Sequence, residues 1–205
     1  RVYLGQDKLE AAKASFRQAL AISIQVPGRK DLQGNLLNAL GETMRQDTPS
    51  VAAQYYQQAL AIYQSAYGEH HRETARTYLN LGQLYFNLNE PDSSRYYADK
   101  AILSLCPDFE SFTSNASPVI ATLPLDRTLL ALTLSLKAEL FLQSPTEGLA
   151  LLGAFEHSMA ASNLVAEEMA IKGDDISRLR VLEATSDIYE PGIRAGYLLH
   201  QLKVE

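Results

Sequence analysis

The chain has 205 residues and a formal net charge of -6, with 46% hydrophobic and 20% charged side chains. Those proportions exclude a disordered chain and a membrane-embedded one, and the negative balance speaks against a general nucleic-acid binder. A single Cys excludes a disulfide framework and any cysteine-based zinc site. The 26 Ala and 32 Leu, set against 11 Gly and 8 Pro, favour helix nearly everywhere.

Charge is uneven along the chain. Residues 1–120 hold 11 basic and 12 acidic side chains, and residues 121–205 hold 7 and 12. The acidic excess is scattered, as on a solvated helix face. No stretch approaches the length of apolar sequence that a membrane helix needs, so no membrane insertion is expected. The chain starts at Arg1 without Met. It reads as a trimmed piece, expected in the cytoplasm, with an already removed signal peptide left open.

An internal repeat organises the first half. Ala12, Phe16, Ala19 and Leu20 recur as Ala52, Tyr56, Ala59 and Leu60, then more loosely as Ser94, Ala98, Ala101 and Ile102. Upstream of the second set lie Leu40, Gly41 and Met44. Upstream of the third lie Leu81, Gly82 and Tyr85, and of the first only Tyr3 remains, because the chain begins inside that helix. Small residues at these places let two antiparallel helices approach, and the large ones beside them fill the gaps. Asp47-Thr48-Pro49-Ser50 and Asn89-Glu90-Pro91-Asp92 are the expected turns inside the pairs, with Pro near a helix start and Asp or Ser as cap. An apolar face that one pair cannot bury alone makes the pairs stack.

Residues 109–125, rich in Ser and Thr, are expected to form a loop insertion. Asp126 then reads as an N-cap, with Leu130, Leu134, Ala138 and Phe141 on one helical face. The spacing from Ala138 to Ala150 matches that from Gly82 to Ser94. Residues 126–172 are therefore expected to be a diverged helix pair with a turn at Ser144-Pro145-Thr146. Asp174 or Asp175 caps a terminal helix over 173–205, kinked near Pro191 with the break close to Tyr189.

These residues resemble the tetratricopeptide repeat, most closely over residues 75–107, through Tyr78, Asn80, Leu81, Gly82, Tyr85, Ser94, Ala98, Ala101 and Pro107. Ser94 and Ala98 stand where Ala and an aromatic are usual. The resemblance implies an all-α, right-handed α-solenoid of antiparallel helix pairs, with repeats over 1–108 and the first truncated. Steps of 40 and 42 residues, and the linker Tyr67-Gly68-Glu69-His70-His71, are similar to the kinesin light chain-like subclass. A weaker likeness covers 126–200. Leu136-Lys137-Ala138-Glu139, Ser177-Arg178-Leu179 and Ile188-Tyr189-Glu190 with Ile193 resemble the region ahead of the caspase-like domain in bacterial CHAT proteins. It implies the repeat region of a larger protein whose catalytic His and Cys lie elsewhere.

Nothing in the sequence points to catalysis or a cofactor. Cys106 sits in an apolar run with no nearby base and reads as structural. His70-His71 on a linker do not converge as ligands one helical turn apart do, and His71 reads as a cap or as solvent-facing. His157 and His200 are isolated. The tyrosines lack the interleaved Lys and Arg of a base-stacking platform, so no nucleic acid is expected. The family resemblance offers a concave surface lined by the first helix of each pair. By consensus position its exposed residues are Asn35, Asn38, Glu42, Arg45 and Gln46, then Arg76, Leu79, Gln83, Phe86 and Asn87. Their amides suit an extended peptide backbone, and Arg45 and Arg76 suit carboxylates. Asn80 matches the family's structural Asn and is expected to hydrogen-bond between repeats. The expected partner is a protein or peptide, with self-association through the terminal helices as a further option.

Overall fold

A computed structural model describes residues 2–26, 28–107, 126–143, 148–172 and 174–202. Every regular element among them is helical. In chain order these are α1 (Val2–Ile24), α2 (Lys30–Met44), α3 (Pro49–Tyr67), α4 (Arg72–Asn87), α5 (Pro91–Leu105), α6 (Arg127–Leu142), α7 (Gly148–Ile171), α8 (Asp175–Ala184) and α9 (Tyr189–Leu202). A single 3₁₀ turn, Ser186–Ile188, joins the last two. The closest packing is within α2–α3, α4–α5 and α6–α7, and each pair leans on the next through α3–α4 and α5–α6. This is an α-solenoid of consecutive helix pairs. The expected loop at 109–125 and the turn at 144–146 lie outside the described residues.

Helix ends follow the local chemistry. Pro49 and Pro91 begin α3 and α5, where a missing N–H costs no helical bond. Thr48 and Glu90 precede them without a side-chain cap, so the Asp or Ser cap expected there is not used. The stop of α4 is a Schellman turn. Asn89 takes φ 58°, its N–H donates to the Phe86 carbonyl at 3.0 Å, and the Glu90 N–H donates to the Tyr85 carbonyl at 2.9 Å. Caps do form at His71, Asp126 and Asp174, which accept from the backbone N–H of Glu73 (3.2 Å), Leu129 (2.8 Å) and Ser177 (2.7 Å).

Close packing within the pairs takes two forms. In α2–α3 the glycines of one helix face the tyrosines of the other in antiparallel register. A Cβ on Gly41 would lie 2.5 Å from the ring of Tyr56, and one on Gly34 would run into the ring of Tyr63. Both rings are fully buried. In α4–α5 Gly82 instead backs onto the Ser94 and Ala98 backbone, and the Ser94 hydroxyl donates to the Gly82 carbonyl at 2.8 Å. Ala98, standing where an aromatic is usual, leaves room beside Gly82. Leu136 of the next pair fills it, reaching 3.0 Å from a Gly82 Cβ. The sequence departures at Ser94 and Ala98 thus join the second and third pairs into one core, which runs from Ala75 through Ile102 and Leu134 to Val165.

The structure corrects two expectations. The repeat pattern places Tyr3 in a helix preceding the one that carries Ala12, but α1 runs unbroken from Val2 to Ile24. Gln6-Asp7-Lys8 lacks the proline that separates helices at Pro49 and Pro91. The terminal segment breaks at Thr185–Ile188, directly ahead of Tyr189, and it is not kinked at Pro191, which falls in the first turn of α9, where proline is tolerated. Ile188, buried and accepting from the Ser158 hydroxyl at 3.2 Å, anchors that break to α7. From it α9 folds back along α7, and α8 turns towards the inner face of the pairs.

Candidate functional site: a cationic chamber on the inner face

The first helices of the pairs, α2, α4 and α6, line a chamber of about 810 Å³ whose remaining walls are α8 and the C-terminal end of α7. Its floor is apolar, made by Leu79, Leu129, Leu132 and Val181. Its rim carries Asn80, Gln83 and Ser177 together with many charges. Six cationic side chains (Arg45, Arg72, Arg76, Arg127, Lys172, Arg180) line it against three carboxylates, Glu42, Asp126 and Glu168. A chain of net charge -6 therefore concentrates positive charge in this recess.

The three carboxylates are already engaged. Asp126 is paired with Arg72 while also capping α6. Glu168 accepts Lys172 at 3.1 Å and faces Arg127 at 3.8 Å. Glu42 takes the Tyr56 hydroxyl at 2.7 Å and faces Arg45 at 3.6 Å. Arg45 crosses between repeats to donate to Gln83 Oε1 at 3.2 Å. Arg76 has a long contact of 3.5 Å to Glu73 on its own helix and is 40% exposed. Arg180 is exposed and makes no ion pair among the described residues. The cationic donors still available to a ligand thus centre on Arg76 and Arg180.

Of the residues expected on the groove, Glu42, Arg45, Arg76, Gln83 and Leu79 do meet in this chamber. Gln46 lines a smaller recess of about 210 Å³ beside Leu9 and Asp47. Asn35 and Asn87 are exposed but outside the chamber, and Asn35 Oδ1 accepts the Tyr63 hydroxyl at 2.8 Å. Phe86 is half-buried against the core. Asn38 departs from the expectation of an exposed groove residue. It is buried, and its amide donates to Thr77 Oγ1 at 3.0 Å across the α2–α4 boundary. Asn38 therefore joins Arg45 in tying repeats together, whereas Asn80 faces the chamber. Replacing Asn38 with Leu is expected to lower stability by about 1–3 kcal/mol, because Thr77 keeps only its bond to the Glu73 carbonyl. Urea unfolding measures this, and an unchanged midpoint would show that the bond contributes nothing.

The residues that the sequence left unassigned are Arg72, Arg127, Lys172 and Arg180, from the start of α4, the diverged pair and α8. A periodic signal could have placed Arg127 at the start of a third inner helix, directly after the Asp126 cap. Nothing periodic places α8. The other candidates resolve as structural. Cys106 is buried in the core, and His157 is buried with its ring 5.2 Å from that of Phe141. No cluster of His, Cys, Asp or Glu among the described residues could hold a metal ion.

The matching family model is that of the tetratricopeptide repeat, over residues 1–65 and 44–102. The chain is a tetratricopeptide repeat protein. A comparison with curated proteins gave no match. The repeat match ends ahead of α6, so the chamber joins two tetratricopeptide repeat helices, α2 and α4, to three helices beyond the match, α6, α7 and α8. Tetratricopeptide repeats mediate protein–protein interaction and are typically non-catalytic scaffolds. No described helix is long and apolar enough to cross a membrane.

Proposed function

We propose that this chain is a non-catalytic interaction module that binds a peptide segment of a partner protein in the chamber between α2, α4, α6 and α8. The observation that carries this reading is the chamber itself. It is concave and mixed in polarity, and at about 810 Å³ it falls within the range of ligand sites. Side-chain amides at Asn80 and Gln83 can serve a peptide backbone, while Leu79, Leu132 and Val181 can seat apolar side chains.

Panning a random-peptide phage library against the chain tests it. Peptides so selected are expected to lose binding by about tenfold or more when the space is filled by Ala184→Trp or Thr128→Trp. Ala184 is exposed and Thr128 is half-buried, so the larger ring enters the chamber rather than the core. Unchanged binding by both variants would place the interaction elsewhere.

The unit spacing of 40 and 42 residues supports assignment to the kinesin light chain-like subclass. A regulatory role beside a CHAT-type cysteine peptidase rests on the short motifs of residues 136–193 alone. Several of those residues serve packing and pairing here: Lys137 bonds Asp99 at 2.8 Å, Glu139 accepts Arg194 at 3.2 Å, and Ile188 is buried. They support a shared helical fold more than a shared activity.

A further inference from the structure

We infer that α1 of one copy of this chain docks against α9 and α7 of a second copy, so that copies join head to tail by completing one helix pair between them. This goes beyond the peptide chamber and does not depend on it.

Helix α9 stands where the first helix of a fourth pair belongs. Ala195 closes the core of α6 and α7, as Leu81 of α4 closes that of α2 and α3. Ala195-Gly196 with Leu198 thereby match Leu81-Gly82 with Leu84. The Tyr56 ring covers Gly41, and the α5 backbone lies against Gly82. A Cβ on Gly196 would instead meet the edge of Phe155 at 3.7 Å and nothing else among the described residues. No second helix follows α9 among those residues. Its flank is apolar and open, with Tyr189 42% and Ile193 71% exposed.

Helix α1 is the opposite half. It packs on α2 as α3 packs on α4. Its Ala12, Phe16 and Ala19 match Ala52, Tyr56 and Ala59 of α3, and no separate first helix faces them among the described residues. The α3 set is fully buried, whereas the α1 set is half-buried. Ile22 is 57% exposed, while its match in α3, Ile62, packs against the α2–α3 core.

The two open faces are therefore the two sides of one pair. Laid on α9 as α3 lies on α2, α1 of a second copy sets Phe16 over Gly196, as Tyr56 covers Gly41. The neighbouring face of α7 agrees. Leu152, Phe155 and Met159 are exposed there, and the matching water-facing positions of α3 are Gln54, Gln57 and Ala61. With Tyr189 and Ile193 these side chains leave on the order of 500 Å² open, and an equal strip on α1 brings the contact to about 1,000 Å², the size of a weak, reversible interface. The chain itself carries a helix of the required pattern, so the occupant is assigned to a second copy rather than to a foreign helix. Such a contact leaves a free half-unit at either end and extends into a row of copies unless it closes into a ring.

Sedimentation equilibrium of the chain at rising concentration tests this. The weight-average mass is expected to pass twice the protomer mass over roughly the micromolar to millimolar range. Ile22→Glu on α1 and Gly196→Trp on α9 should each stay monomeric, since one spoils the docking face and the other fills its seat. Mixed in equal amounts they should form a discrete dimer, because each keeps the face that the other lacks. Far-UV circular dichroism equal to that of the wild type secures the fold of each variant. Ile176→Glu, which removes a comparably exposed apolar side chain from α8, should assemble as the wild type does. A wild type that stays monomeric throughout would overturn the docking of a second copy. Assembly lost in Gly196→Trp but kept in Ile22→Glu would mean that α9 meets α9, and would overturn the head-to-tail arrangement. Folded variants that fail to complement each other, or assembly that ignores both substitutions, would overturn it as well.

Discussion

Replacing Tyr56 with alanine is expected to destabilise the fold by about 3–5 kcal/mol, in the range of other fully buried aromatic truncations. Tyr56 has no solvent exposure, and its ring closes over Gly41 on the facing helix. Its hydroxyl donates to Glu42 at 2.7 Å, and burial, reinforced by that carboxylate, pushes the phenol pKa well above its usual range. The ring stays protonated and keeps that donor at any pH the fold survives. Tyr56→Phe should retain most of the packing and lose about 1–3 kcal/mol for the charged acceptor left behind. Gly41→Ala separates two effects of opposite sign. Alanine favours the helix by about 1 kcal/mol, whereas a methyl 2.5 Å from a rigid buried ring overpacks the pair at about 1–3 kcal/mol. The sum is destabilising with Tyr56 present and stabilising with Tyr56→Ala. Urea unfolding of the two single variants and the double variant measures the coupling. Additive effects would mean that the ring and the glycine do not meet.

The glycine–tyrosine register also shows which parts of this fold are readable in sequence. Positions that must be small or aromatic to let helices touch recur at fixed spacing, so Gly41, Ala52, Tyr56, Ala59 and Gly82 reveal the pairs directly. Position within a repeat is less informative about the inner face, because matching residue types in adjacent repeats can exchange roles. Asn38 occupies a turn of α2 that faces Thr77 on α4 and becomes buried, while Asn80 on α4 is left towards the chamber. Both are Asn, and only the packing of α2 against α4 decides which one is satisfied internally.

Helix α8 marks the other boundary of legibility. Its apolar residues Ile176, Leu179 and Leu182 are exposed, and Val181 is its one buried side chain. An amphipathic reading would have turned the wrong face inward. The helix is held at its ends instead. Asp174 caps its start, Arg178 donates to the Lys172 carbonyl at 3.0 Å, and the Ile188 anchor holds the turn into α9. End-to-end tethering leaves no periodic trace in a sequence, and that is why Arg180 escapes a reading based on repeats. Arg127 and Lys172 likewise reach the chamber from outside the two repeat helices.

Acidification from pH 7 is expected to cost the fold roughly 2 kcal/mol by pH 5 and about 3 kcal/mol near pH 4, through His157 alone. The imidazole is buried, and its Nδ1–H donates to the Gly153 carbonyl at 2.8 Å. Burial is the main cause that lowers its pKa from 6.5 to about 4. The Lys137 charge pushes the same way, and the Gly153 bond opposes both. Between those two values the unfolded chain binds a proton that the folded chain refuses, so stability falls as pH falls through this window and levels off below it. The Lys137 ammonium, itself buried and bonded to Asp99, repels an imidazolium and so favours the neutral ring. Urea midpoints at pH 7.5 and pH 5 should therefore differ more for the wild type than for His157→Gln, which cannot titrate there. Identical pH dependence in the two chains would show that His157 protonates as freely folded as unfolded, and that its surroundings between α6 and α7 admit water.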